Sequence, residues 1–175
     1  MKNILFLLAI LGIGMGQLKA ESRPLEVVPY VDLNRYIGTW YEIATIRQRF
    51  QKDCVAVTAT YTLRDDGKIN VLNKCRKKTL DGKVKMAKGK AWVVDKKTNA
   101  KLKVQFFWPF KGDYWIIELD PDYQYAVVGH PNRNYLWILS RSPHMEEPLY
   151  EELLQRIANK GYNISRIKRT LQPPG

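Results

Sequence analysis

Between about residue 38 and residue 141 the chain carries eight short segments of strand character, each closed by a turn signal, and this succession limits the possible folds to very few. The segments are Trp40 to Ile46, Val55 to Leu63, Lys68 to Cys75, Val84 to Val94, Ala100 to Phe107, Tyr114 to Leu119, Gln124 to Gly129 and Tyr135 to Arg141. Between them lie Asp65-Asp66-Gly67, Asp81-Gly82, Lys96 to Asn99, Lys111-Gly112-Asp113, Asp120-Pro121-Asp122 and His130 to Asn134. Most of these connections are too short to cross over a sheet, so consecutive strands pair antiparallel. A meander of this kind leaves two unpaired edges, and closing it into a cylinder satisfies both. The predicted fold is an all-β, eight-stranded antiparallel up-and-down β-barrel, a size that encloses one small ligand.

Alternation separates an oily face from a wet one. Val57, Ala59, Tyr61 and Leu63 interleave with Thr58, Thr60 and Thr62, and Ile69 and Val71 with Lys68 and Asn70. Leu102, Val104 and Phe106 interleave with Lys101, Lys103 and Gln105. The inner set mixes small residues (Ala44, Ala59, Ala87, Gly89, Ala91) with large ones (Tyr61, Phe106, Trp137). Small inward residues suit a cavity, and they also suit large-against-small packing. After the strands, Pro148 opens a helical stretch in which Leu149, Leu153, Leu154, Ile157 and Ala158 recur at helical spacing, and Asn159-Lys160-Gly161 ends it. The leucine stripe is expected to pack this C-terminal α-helix on the outside of the barrel. Tyr162 to Ile167 reads as a short added strand.

The first twenty residues read as an address. Lys2 gives a positive start, Ile4 to Met15 an apolar run, and Leu18-Lys19-Ala20 a cleavage point, so residues 1–20 are a predicted signal peptide and 21–175 a single domain. The run is too short to span a bilayer comfortably. Export places the two cysteines in an oxidising compartment, where a pair in one small domain usually bridges. Cys54 and Cys75 flank the Asp65-Asp66-Gly67 turn, which brings them roughly opposite each other. The predicted Cys54–Cys75 disulfide would contribute roughly 3 kcal/mol on the chain-entropy model. An even and an odd position face opposite sides of paired strands, so a bulge near Asp53-Cys54 must restore the parity, and two free thiols are the alternative.

Several chemistries lose their usual signatures. The Cys and His residues show no CxxC or HExxH spacing, so no metal site is predicted. No GxGxxG, GxxxxGK[ST] or GxSxG run occurs. His130 and His144 fall in loops, away from any barrel interior where they could ligate haem iron.

Three ordered motifs carry a family resemblance. Asn34-Arg35-Tyr36-Ile37-Gly38-Thr39-Trp40-Tyr41-Glu42-Ile43-Ala44 resembles the opening motif of the lipocalins, where a short helix leads into a Gly-x-Trp on the first strand. Asp120-Pro121-Asp122-Tyr123-Gln124-Tyr125-Ala126 resembles the second motif, and Leu136-Trp137-Ile138-Leu139-Ser140-Arg141-Ser142-Pro143 the third. Thr58-Ala59-Thr60-Tyr61 and Phe106-Phe107-Trp108-Pro109-Phe110 are closest in wording to the bacterial lipocalins and their apolipoprotein-D-like relatives. The resemblance implies structural roles for Gly38, Trp40 and Arg141, with the guanidinium lying on the indole at the closed end. The chain departs from the lipoprotein members of that group in having no Cys just after its apolar run, which puts lipid anchoring in doubt.

Alternation and resemblance together nominate Ala44, Ile46, Val57, Ala59, Tyr61, Val71, Asn73, Ala91, Val104, Phe106, Tyr114, Trp137 and Leu139 as ligand-binding residues. The function expected is non-enzymatic binding, storage or transport of fatty acids or lysophospholipids in the cell envelope, periplasmic or secreted, without a cofactor. The alternatives are a lipocalin-fold enzyme acting on a lipid through Glu42, Glu118 or an unbridged Cys75, and a carrier of haem or a retinoid. Phe50, Phe107, Trp108 and Phe110 form either a lipid-seeking lip or a self-packed loop. With 29 Lys+Arg against 17 Asp+Glu the net charge is +12, falling to +10 when cleavage removes Lys2 and Lys19. Lys83, Lys85, Lys88, Lys90, Lys101 and Lys103 read as outward, solubilising residues that also suit contact with an anionic membrane. Nucleic acid is not an expected partner, and a homodimer is left open.

Overall fold

Runs rich in Val, Thr and aromatic residues favour pleated, half-buried strands. In the computed structural model, which describes residues 23–46 and 51–174, eight such runs pair in chain order. Residues 1–20, the predicted signal peptide, and Phe50 lie outside the described residues. A short helix α1 (Leu33–Tyr36) precedes β1 (Gly38–Ile46), β2 (Cys54–Leu63), β3 (Ile69–Lys77), β4 (Val84–Val93), β5 (Lys101–Phe107), β6 (Phe110–Leu119), β7 (Tyr125–Gly129) and β8 (Leu136–Ser140). Every neighbouring pair is antiparallel, and β1 pairs with both β8 and β2, so the sheet closes on itself. α2 (Glu147–Asn159) follows, then a 3₁₀ turn and β9 (Ile167–Arg169), which pairs with β1.

Two local expectations shift. Lys111-Gly112-Asp113 is no turn; it lies inside β6, and the chain reverses between Phe107 and Phe110, around Trp108-Pro109. The added strand begins only at Ile167, because Ile164–Arg166 forms the 3₁₀ turn, capped when the Asn163 side chain accepts from the Ser165 N–H.

The apolar residues divide into two cores. The inner one draws Trp40, Tyr61, Val71, Ala91, Leu102, Ile116, Val128 and Leu139 from all eight strands, with Tyr36 and Val31 beneath them. The outer one sets Leu153, Ile157 and Tyr150 of α2 against Ala44, Ile46, Ile117, Val127 and Ile138. A strand serves both cores only if its alternation changes phase, which an extra residue achieves. β1 has such a bulge between Glu42 and Ala44, and β6 has one between Ile116 and Glu118.

These bulges correct three expectations. Ala44 and Ile46 do not line the lumen, because past the bulge they sit opposite Ile138 and Ile167 in the outer core. Glu118 faces outward opposite Val127 and pairs with Lys160 at 3.1 Å and Arg156 at 3.6 Å. Lys85, by contrast, lies opposite Cys75, in step with Ala87 and Ala91 rather than with the outward lysines. A third bulge, between Val55 and Thr58, restores the cysteine parity slightly later than the sequence suggested, with Ala56 at φ 48°. Cys54 and Cys75 are bridged, their Cα atoms 5.5 Å apart.

Candidate ligand-binding site

One end of the barrel is shut by chemistry that begins at α1. The Asp32 side chain caps that turn by accepting from the Asn34 N–H at 2.9 Å. The turn presents its last carbonyls to Arg141, whose Nη2 donates to Arg35 O, Tyr36 O and Ile37 O at 2.8, 3.2 and 2.9 Å. Nη1 donates to Thr39 O at 3.1 Å and Nε to Tyr123 O at 3.3 Å. The guanidinium carbon stands 3.9 Å from the centre of the Trp40 ring, and the Trp40 N–H donates to Tyr36 O at 2.8 Å. A planar, multiply donating cation is what such a site requires. Burial pulls the Arg141 pKa below its ordinary value, with Tyr36 opposing the shift. Gly38 has φ +100°, and a Cβ there would stand 3.1 Å from Arg141 Nη1, so both backbone and neighbour call for glycine.

Above this floor three phenols converge. Tyr36 from α1, Tyr61 from β2 and Tyr114 from β6 join through their hydroxyls, Tyr114 at 2.8 Å from Tyr36 and 3.0 Å from Tyr61. Desolvation by burial pushes the Tyr61 pKa up to about 12 and raises those of Tyr36 and Tyr114 well above the phenol range, so all three are neutral at pH 7. Against Tyr36, Tyr61 and Tyr114 lies an apolar void of about 10 Å³, also lined by Leu33, Ile69, Leu102 and others. That is room for about one water.

Farther from α1 the inner wall becomes small and polar. Ala59, Asn73 and Ala87 stand opposite one another across β2, β3 and β4, with Val104, Phe106, Tyr114 and Trp137 completing the circumference. All seven face inward, yet each keeps part of its surface accessible. Inward surface that solvent can reach is the wall of a cavity. A Cβ built on Gly112 would meet only Val104 Cγ1, at 3.9 Å, an ordinary contact distance. Glu42, 3% exposed, shares the inward face with Trp40 and Leu139. Its carboxylate accepts from Gln51 Nε2 at 2.8 Å and from the Thr170 hydroxyl, while Trp137 Nε1 donates to Gln51 Oε1 at 3.3 Å.

The wall is completed by the chain's own tail. Where β1 and β2 part beyond Tyr41 and Thr58, the Thr170 N–H donates to Ile43 O at 2.9 Å and the Ala56 N–H to Leu171 O at 2.7 Å. Gln172 Nε2 then bridges Glu42 O and Val57 O, both at 2.9 Å, so Val57 belongs to this seam.

A family model described as a lipocalin-like domain matches residues 31–172. The chain is a lipocalin. It is 45% identical over 161 residues to temperature-induced lipocalin-1 of Arabidopsis thaliana, covering 87% of this chain and 85% of that one. It is 44% identical over 151 residues to the outer membrane lipoprotein Blc of Escherichia coli K12, with 86% and 85% covered. Apolipoprotein D of Macaca fascicularis is 32% identical over 161 residues, covering 88% and 82%. Among solved structures, apocrustacyanin C2 superposes with a TM-score of 0.65 at 19% identity (81% and 80% covered) and insecticyanin of Manduca sexta with 0.64 at 20% (83% of each), which bears on the fold alone. Membership of the lipocalins makes small hydrophobic molecules the ligand class.

Of the nominated lining residues, Ala59, Tyr61, Val71, Ala91, Val104, Phe106, Tyr114, Trp137 and Leu139 lie in or against the inner core of this lipocalin. Asn73 joins them by register opposite Ala59. Sequence reasoning did not nominate Tyr36, Gln51 or Gly112. Tyr36 stands in the opening motif, where helical spacing from Trp40 could have flagged it, and Gly112 was read as a turn. Gln51 carries no sequence signal.

Proposed function

We propose that this lipocalin binds and carries fatty acids or lysophospholipids in the bacterial cell envelope, without catalysis. The observation that carries the reading is the inward wall of Ala59, Asn73, Val104, Phe106, Tyr114 and Trp137, none of them fully buried, with only Val104 within 4 Å of a Cβ built on Gly112. Each CH₂ of an acyl chain buried there contributes about 0.8 kcal/mol, so about ten of them outweigh much of the cost of ordering the guest. The protein is exported by cleavage after Ala20 and remains periplasmic or is released; among the described residues no helix is long and apolar enough to cross a membrane. The disulfide leaves no free cysteine and Glu118 faces away from the lumen, so two of the three groups an enzyme reading would use are withdrawn.

The same reading assigns loading to the end opposite α1. Phe107, Trp108 and Phe110 are 75%, 86% and 77% exposed at the β5–β6 reversal, and Val84 and Met86 are exposed on neighbouring β4. Lys83, Lys88 and Lys111 are interspersed with them. Apolar tips among cations fit an anionic lipid surface, where the rings enter the interface and the lysines meet the head groups.

Three measurements test this. Protein purified without detergent is expected to release an acyl lipid on extraction and to give saturable displacement of a fluorescent fatty acid at micromolar concentration; the absence of both lipid and displacement would falsify the reading. Gly112→Phe, which places a ring in the open lumen, is expected to weaken binding by about tenfold or more at nearly unchanged Tm. Flotation with phosphatidylglycerol vesicles is expected to exceed that with phosphatidylcholine vesicles and to fall on Phe107→Ser with Trp108→Ser.

A further inference from the structure

Hydrogen-bond arithmetic inside the lumen leaves a remainder. Each phenol of Tyr36, Tyr61 and Tyr114 has one proton to donate. The two contacts among them use two of the three protons, whichever way the chain of hydroxyls runs. No hydroxyl of the three has another hydrogen-bond partner among the described residues, so one O–H is always left over. The rings cannot easily turn away to water, because they pack on each other with centroids 5.9 Å apart for Tyr36 and Tyr61 and 6.0 Å for Tyr61 and Tyr114. The void against the phenol rings, walled by Leu33, Ile37, Ile69 and Leu102, offers no acceptor.

The opposite remainder occurs on the adjacent strand. Asn73 Oδ1 is buried with no hydrogen-bond partner among the described residues. Tyr61 stands opposite Val71, and the next inward pair is Ala59 with Asn73, so the amide is the diagonal neighbour of the phenol on one face. The side chains flanking Asn73 across the sheet are the small Ala59 and Ala87. One unspent donor and one unspent acceptor on the same wall are the complement of a single hydroxyl group, which accepts with its oxygen and donates its proton.

We propose that this pair of sites binds a hydroxyl carried on the inserted part of the guest, so that the preferred cargo is a hydroxylated acyl chain rather than a plain one. The inference rests on the carrier reading above and names its substrate class. The carboxylate or phosphate head stays at the lysine-flanked end, and the buried hydroxyl bridges the phenol cluster and Asn73. A guest that carries it pairs both groups, whereas one without it leaves them as unpaired as they are in the empty barrel and so binds less tightly.

The test titrates palmitic acid and a set of its hydroxy derivatives, differing in the position of the hydroxyl, against a bound fluorescent fatty acid. One position is expected to bind about tenfold tighter than palmitic acid. Asn73→Leu and the triple Tyr36→Phe, Tyr61→Phe, Tyr114→Phe variant are each expected to bring that ratio close to one, whatever their absolute affinity for palmitic acid. Should the triple variant fail to fold, Asn73→Leu alone carries the comparison, with near-ultraviolet circular dichroism reporting its fold. Palmitic acid binding as well as or better than every hydroxy derivative overturns this inference and leaves the carrier reading standing. Binding of none of the acids overturns both. A preference that persists unchanged in Asn73→Leu and the triple variant also overturns it, since the selectivity then lies elsewhere.

Discussion

Arg141 holds more of the closed end than any other single residue. Its guanidinium satisfies carbonyls of α1, β1 and the turn before β7, and covers one face of Trp40. Hydrogen bonds from a charged donor contribute about 1.5–3 kcal/mol, and losing one partner leaves the others unpaired. Arg141→Ala is therefore expected to lower unfolding stability by about 3 kcal/mol in urea titrations, and Arg141→Lys to recover only part of it, because an ammonium is a point charge with no planar fork. Gly38→Ala strains a backbone at φ +100° and crowds Arg141, and a loss of about 1–3 kcal/mol is expected in the same assay. Neither substitution touches the wall around Ala59 and Asn73, so ligand affinity in the folded fraction should hold.

At the scale of elements, α2 is fastened by Leu153 and Ile157, both fully buried against the outer faces of β1, β6, β7 and β8. Leu153→Ala is expected to cost about 2–5 kcal/mol of stability with little change in acyl-chain affinity, because the side chain lies outside the lumen. The tail is a different kind of fastening. Residues 170–172 fill the parting between β1 and β2 through backbone and Gln172 bonds, so deleting residues 170–175 should raise hydrogen exchange most at Ala56, whose N–H loses its acceptor, Leu171 O. Strand number, order and the helix were legible in the sequence, since alternation and turn residues are local signals. What alternation could not reveal was phase. The bulge between Glu42 and Ala44 and the one between Ile116 and Glu118 carry no Gly or Pro to announce them, and they moved Ala44, Ile46 and Glu118 to the other face. The site was legible in its apolar part, because Ala59, Tyr61 and Val71 lie on uninterrupted stretches of alternation. The Gln51 contact with Glu42 depends on chain segments meeting in space, which no periodicity encodes.

For the molecule as a whole, buried phenols set its response to alkali. Tyr61 and Tyr162 are pushed up to about 12, and Tyr36 and Tyr114 are raised as well, in each case chiefly by burial. Unfolded phenols ionise near pH 10, so between about pH 10 and 12 the folded form holds more protons than the unfolded one. Their contribution is complete below pH 10 and drains away as the pH climbs through that window. Tm is expected to be flat to about pH 9.5 and to fall steeply above it, with the last tyrosinate absorbance appearing together with unfolding. Cys54→Ser with Cys75→Ser is expected to remove about 3 kcal/mol while keeping the barrel's circular dichroism, because the bridge constrains the unfolded chain more than it shapes the folded one.

The plug of Arg141, Trp40 and α1 means that this vessel has a single doorway. Cargo cannot pass through; it must back out by the route it came in, so capture and delivery compete for one threshold. On the carrier reading proposed above, net direction then comes from which surface that doorway faces and how full each donor or acceptor is, as in a shuttle following supply rather than a conduit.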